Sequence, residues 1–75
     1  MVELKYEKEV REIYWPGKDG GKKSNGEGDR LIFRTFSFGD HDESWVIVEN
    51  KYGEETARHN ARYLESIVWE TDNGG

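Results

Sequence analysis

Cysteine is absent from this 75-residue chain, which removes both a disulfide framework and a thiolate metal site. Proline occurs once, as Pro16, and no apolar run is longer than the four residues Trp45-Val46-Ile47-Val48. A membrane-spanning helix needs about 20 apolar residues in succession, so none is expected. The amino-terminal residues Met-Val-Glu-Leu-Lys-Tyr-Glu have neither the basic nor the apolar region of a secretory signal, and a cytoplasmic location is expected. Only two histidines, His41 and His59, are present, and Ser24, Ser37, Ser44 and Ser66 stand in no nucleophile-like motif. No acyl-transfer triad can be assigned from them.

What the chain does have is rings: three Trp, four Tyr and three Phe. Each large ring buries roughly 150–250 Å². A few can therefore close the core of a single small domain, which hides only about 60% of its unfolded surface. The formal charge is −5 and uneven: residues 1–38 carry eight Lys/Arg and seven Asp/Glu, whereas residues 39–75 carry three and nine. That balance disfavours a general affinity for nucleic-acid phosphates and leaves room only for a local basic patch.

Val2, Leu4 and Tyr6 alternate with Glu3, Lys5 and Glu7, the period-2 pattern of a half-buried strand. A second strand is expected over 9–15, where apolar parity switches near Arg11-Glu12 and suggests a bulge. It stops at Pro16-Gly17. Residues 16–29 hold five glycines and no apolar residue, which predicts a solvated, mobile loop. Leu31 to Phe38 is the clearest strand. A polar turn over 39–43 leads to a buried strand over Trp45 to Val48, and Asn50-Lys51-Tyr52-Gly53 is a turn. Beyond it the pattern predicts a strand at 54–58, a helical turn at 59–64 and a last strand at 65–70, with a frayed tail over 71–75. The rival is one helix over 54–68, in which Ala57, Ala61, Leu64 and Val68 share a face. The expected core is Val10, Ile13, Leu31, Phe33, Phe36, Trp45, Ile47, Val48, Leu64, Ile67 and Trp69.

This is an all-β pattern: a small antiparallel β-barrel of five or six strands, with α+β as the alternative if 54–68 is helical. In element order and loop lengths, over residues 9–70, it is similar to Src-homology-type and Sm-like small barrels. The Ala-Leu-Tyr-Asp-Tyr signature of a Src-homology domain is missing; Glu-Ile-Tyr-Trp-Pro stands in its place. The similarity implies a fold and no ligand.

Gly17 to Ser24 imitates a phosphate-binding loop, but the second required Gly falls on Lys22. Asp40-His41-Asp42-Glu43-Ser44 offers oxygen ligands at alternate positions, yet a calcium loop wants Gly and Glu where Trp45 and Lys51 stand. No cofactor or metal is assigned, and no catalysis is expected from a domain with little room for a pocket. Two surfaces remain. Lys18, Lys22, Lys23, Arg30 and Arg34, with Tyr14 or Trp15 to stack on a base, would suit a nucleic-acid backbone. Trp15, the 16–29 loop and acidic residues of the second half, Asp40, Asp42 and Glu43 among them, would suit a protein partner, with the negative face steering a basic one. The first expectation is a non-catalytic protein-interaction module; the alternative is a nucleic-acid-binding domain. The strand at 2–6 is also free to pair with a neighbouring copy.

Overall fold

The computed structural model describes residues 2–18, 20–26 and 28–70. Six strands form one curled antiparallel sheet, a half-barrel. They are β1 (Glu3–Trp15), β2 (Gly21–Ser24), β3 (Asp29–Ser37), β4 (Asp42–Asn50), β5 (Glu55–Asn60) and β6 (Ser66–Trp69). A 3-10 turn over Ala61–Tyr63 separates β5 from β6. The hydrogen-bonded order is β2-β1-β3-β4-β5, with β6 also paired to β1.

β1 runs unbroken for 13 residues, joining the two strands expected at 2–6 and 9–15. Its first part, Glu3 to Val10, pairs with β3, and its last part, Glu12 to Trp15, with β2. Its opposite edge takes β6 over Val10 to Tyr14. The parity switch foreseen near Arg11-Glu12 is there, as a register shift between Val10 and Glu12 against β6. A second shift, against β3, lies between Leu4 and Tyr6.

The long solvated loop expected over 16–29 is not what forms. Gly21-Lys22-Lys23-Ser24 is a strand lying against the end of β1, and only a short connection around Gly17 and Gly20 turns the chain. Between the pairs Glu12↔Ser24 and Val10↔Leu31 the chain advances two residues on β1 and seven on the return. β2 and β3 are thus one returning strand interrupted by a five-residue blister. Asn25 pins it: its N–H donates to Arg11 O at 2.8 Å and its Nδ2 to Val10 O at 3.1 Å. Apolar content could not reveal β2, because its hold is the backbone ladder plus one ring. Trp15 lies directly over Gly21, and a Cβ there would sit inside the ring's van der Waals envelope.

The carboxy-terminal segment is not a helix. β5 pairs with β4, Asn60 caps the 3-10 turn by accepting from Arg62 N, and β6 returns to β1. The tail expected over 71–75 lies outside the described residues. No helix among the described residues is long and apolar enough to cross a membrane.

The inner core is Val10, Ile13, Leu31, Val46 and Val48, with Trp15, Phe33, Leu64, Ile67 and Trp69 packed around it. Phe33 meets the edge of Trp69 at 5.0 Å and of Tyr6 at 6.0 Å. Two expected core residues, Phe36 and Trp45, are only half-buried and belong to the other face of the sheet. The buried side chain opposite Phe33 is Val46 instead. β3 and β4 alternate strictly, so Leu31, Phe33, Val46 and Val48 face inward while Ile32, Arg34, Trp45 and Ile47 face outward. An apolar run covering both faces hides that parity until its partner strand is known.

Gly21→Ala tests the β2 assignment. Overpacking against Trp15 is expected to cost about 1–3 kcal/mol in urea unfolding and to shift the tryptophan emission. An unchanged midpoint would mean that β2 does not lie under that ring.

Candidate interaction surface

The outer face of β1, β3, β4 and β5 is built in rows fixed by register. Leu4 stands beside Phe36 and Glu43, Glu7 beside Arg34, Trp45 and Asn60, Glu9 beside Ile32, Ile47 and Arg58, and Arg30 beside Glu49. Ile32 and Ile47 are each only 1% exposed although nothing but side chains covers them. The cover is ionic. Arg34 donates to Glu7 at 2.6 Å and reaches Glu49 at 3.8 Å, across the row that the isoleucines occupy. Arg30 donates to Glu9 at 2.8 Å and lies 3.9 Å from Glu49. Arg58, fixed by two 2.8 Å bonds to Glu55, lies over the Trp45 ring. The stems of these side chains bury the isoleucines while their heads remain wet. The bond to Glu9 raises the Arg30 pKa, and the Arg58 bond lowers that of Glu55.

This lattice decides the fate of the basic candidates. Arg30 and Arg34 are ion-paired across the sheet. Lys22 meets Glu12 at 3.3 Å and Lys23 meets Asp29 at 2.5 Å, from opposite faces of β2. Lys18 sits exposed in the β1–β2 connection. The Tyr14 hydroxyl donates to Glu12, the leading cause of that carboxyl's lowered pKa. Trp15 is half-buried, stacked on His59 at 5.2 Å and 11°. The five cations therefore do not form one patch. Arg30 and Arg34 share a face, and the others stand on or beyond β2.

Asp40, Asp42 and Glu43 do come together, at the β3–β4 hairpin. Phe38 N donates to His41 O, closing a turn in which Gly39 takes a positive φ of +99° that side-chain-bearing residues rarely adopt. His41 holds the turn: its Nδ1 lies 2.7 Å from Asp40 Oδ1 and its Nε2 3.0 Å from Glu43 Oε2. Its ring stacks on Phe38 at 5.2 Å. Glu43 accepts in addition from Trp45 Nε1 at 3.3 Å, and Asp42 is bonded by Lys5 at 3.0 Å. Apolar groups rim the cluster: Leu4 is 53% exposed, Val2 54% and Phe38 37%. Beside it a half-open groove of about 750 Å³ runs between Glu43, Ser44 and Trp45 on one wall and Asn60 and Arg62 on the other, with the half-buried Phe33 also lining it. The groove exists because β5 stops at Asn60, opposite Trp45, while β4 begins three residues earlier.

His41, Phe38 and Leu4 were not among the residues picked from the chain. The signal for His41 was present in the string Asp-His-Asp-Glu, where a histidine among carboxylates is placed to be protonated. Leu4 reads as part of an alternating, half-buried strand and Phe38 as the last residue of the 31–38 strand, and neither position signals a surface site.

A scan against protein-family models finds no match, and neither a curated protein nor a solved structure matches the chain.

Two measurements check this geometry. Arg34→Ala should lower stability by about 1–2 kcal/mol in urea unfolding, and Arg34→Met by less than half of that, because the stem that covers the isoleucines remains. Equal losses would show that charge, not cover, is what Arg34 provides. Separately, the bonds to Asp40 first and Glu43 second raise the His41 pKa, and the bond to His41 lowers that of Asp40. The histidine's contribution to stability is complete below its unfolded value of about 6.5 and is lost as pH rises through the raised folded value. That of Asp40 is complete above about 3.9 and is lost as pH falls through its lowered value. The imidazole signals of His41 should titrate above about pH 6.5, and Asp40→Asn should lower that midpoint; a midpoint below the reference would contradict the paired geometry.

Proposed function

We propose that the chain is a non-catalytic protein-interaction module that presents the β3–β4 hairpin, acidic and edged with exposed apolar groups, to a basic partner segment. The observation that carries this reading is the disposal of charge. Four of the five candidate phosphate-binding cations are held by carboxylates of the same chain, so contacting a phosphate would require breaking an existing pair. Asp40, although paired with His41, projects from the hairpin tip with its side chain 87% exposed. The groups around it total three carboxylates against Lys5 and a protonated His41. Exposed Val2, Leu4 and Phe38 supply the apolar contact that charge alone does not. Against catalysis, both nitrogens of His41 are occupied by carboxylates and the hydroxyl of Ser44, beside the groove, is bonded to Thr35 at 2.9 Å. The likeness to Src-homology-type and Sm-like barrels is supported by a last strand that follows a 3-10 turn and returns to the first, and it brings no ligand with it.

Titration with a short peptide of alternating lysine and leucine, followed by amide shifts, tests the reading, with a single-stranded oligonucleotide as the competing ligand. The peptide should perturb Leu4, Phe38, Asp40, Asp42 and Glu43. Replacing the three acids by amides should weaken it about tenfold, at about 0.5 kcal/mol per exposed pair, and added salt should weaken it further. Perturbation by the oligonucleotide at Lys18, Lys22 and Lys23, with none by the peptide, would replace this function with nucleic-acid binding.

A further inference from the structure

A neutral imidazole has one N–H and one lone pair, whichever tautomer it adopts. His41 nevertheless places both ring nitrogens within 3.0 Å of carboxylate oxygens, one on Asp40 and one on Glu43. Both bonds can be donated only by the imidazolium. Loss of its proton leaves a nitrogen lone pair facing a carboxylate, and the bridge between the hairpin tip and β4 must open on one side. Glu43 is tethered independently by Trp45 Nε1, whereas Asp40 is the more exposed of the two carboxylates. Asp40 is the arm that swings free.

We infer that His41 is a proton-operated clamp that sets the charge and shape of the binding hairpin, so that affinity for a basic partner rises as the clamp opens. This rests on the interaction reading given above. The charged groups facing the ring are few. Asp40 and Asp42 lie on its own hairpin, Glu43 on β4, Lys5 of β1 acts through Asp42, and Arg62 of the 3-10 turn stands across the groove. Asp40, Asp42 and Glu43 against Lys5 and protonated His41 leave a net charge of −1, which becomes −2 when the ring is neutral. The bonds from both carboxylates raise the His41 pKa, which moves the transition toward neutral pH, where histidine switches operate. A lysine-bearing partner keeps its own charge through that range, so the change in affinity belongs to this chain.

The experiment is the lysine–leucine peptide titration repeated from about pH 5 to pH 8, on the wild-type chain and on His41→Gln. The wild type should bind about fivefold tighter above the His41 transition, the effect of one unit charge a few ångströms away in water. His41→Gln should show the tighter affinity throughout and no step. Peptide binding that is independent of pH in the wild type overturns the clamp while leaving the interaction module intact. A step that persists in His41→Gln also overturns it and assigns the transition to another group. Absence of peptide binding at every pH removes the interaction reading and the clamp together.

Discussion

One strand is held on both edges, and the rest of the molecule is arranged around that fact. β1 gives one edge first to β3 and then to β2, and the other to β6. Val10 is where these meet, opposite Leu31 on one side and Trp69 on the other. It and Ile13 are fully buried as a result. Because a single strand carries both pairings, it must bend, and the register shifts at Leu4/Tyr6 and Val10/Glu12 allow the bend. The bend turns a flat meander into a half-barrel whose inside can be filled by a few aliphatic residues and rings. The five-residue blister at Asn25 is the matching slack on the returning chain.

A chain this small has too little interior to hide a second apolar layer, and the outer face shows the alternative. Ile32 and Ile47 lie beneath crossed arginine and glutamate side chains rather than a second sheet. Such cover is adaptable and soluble, and it consumes cations. At the end of the sheet where β4 outruns β5, acidic groups and exposed apolar side chains share one hairpin.

Much of the fold could be read along the chain. The alternation at 2–7, the aromatic run at 31–38, the stop at Pro16-Gly17 and the turn at 50–53 each rest on local chemistry. The structure keeps the strand, the stop and the turn, down to Asn50 Oδ1 accepting from Tyr52 N and Glu54 N. Residues 3–9 do form a strand, but all of them are exposed and the register shift between Leu4 and Tyr6 breaks the half-buried face expected there. The parity switch near Arg11 was legible for the same reason. β2 was not, because a strand of glycine, lysine and serine carries no apolar period and is stabilised by partners six to twelve residues away. Trp45 and Phe36 were misplaced because an apolar stretch shows its hydrophobicity without showing which face it turns inward.

The candidate site divides along the same line. Asp40, His41, Asp42 and Glu43 are neighbours in the chain, so their proximity needed no fold, and only the bonds among them did. The cations were a different matter: Arg30 and Arg34 find Glu9 and Glu7 more than twenty residues away. Local order is written in short-range sterics and alternation, which a linear string records. Ion pairing, parity and the end of a groove depend on which strands lie side by side, and that is settled only when β1 is gripped from both edges.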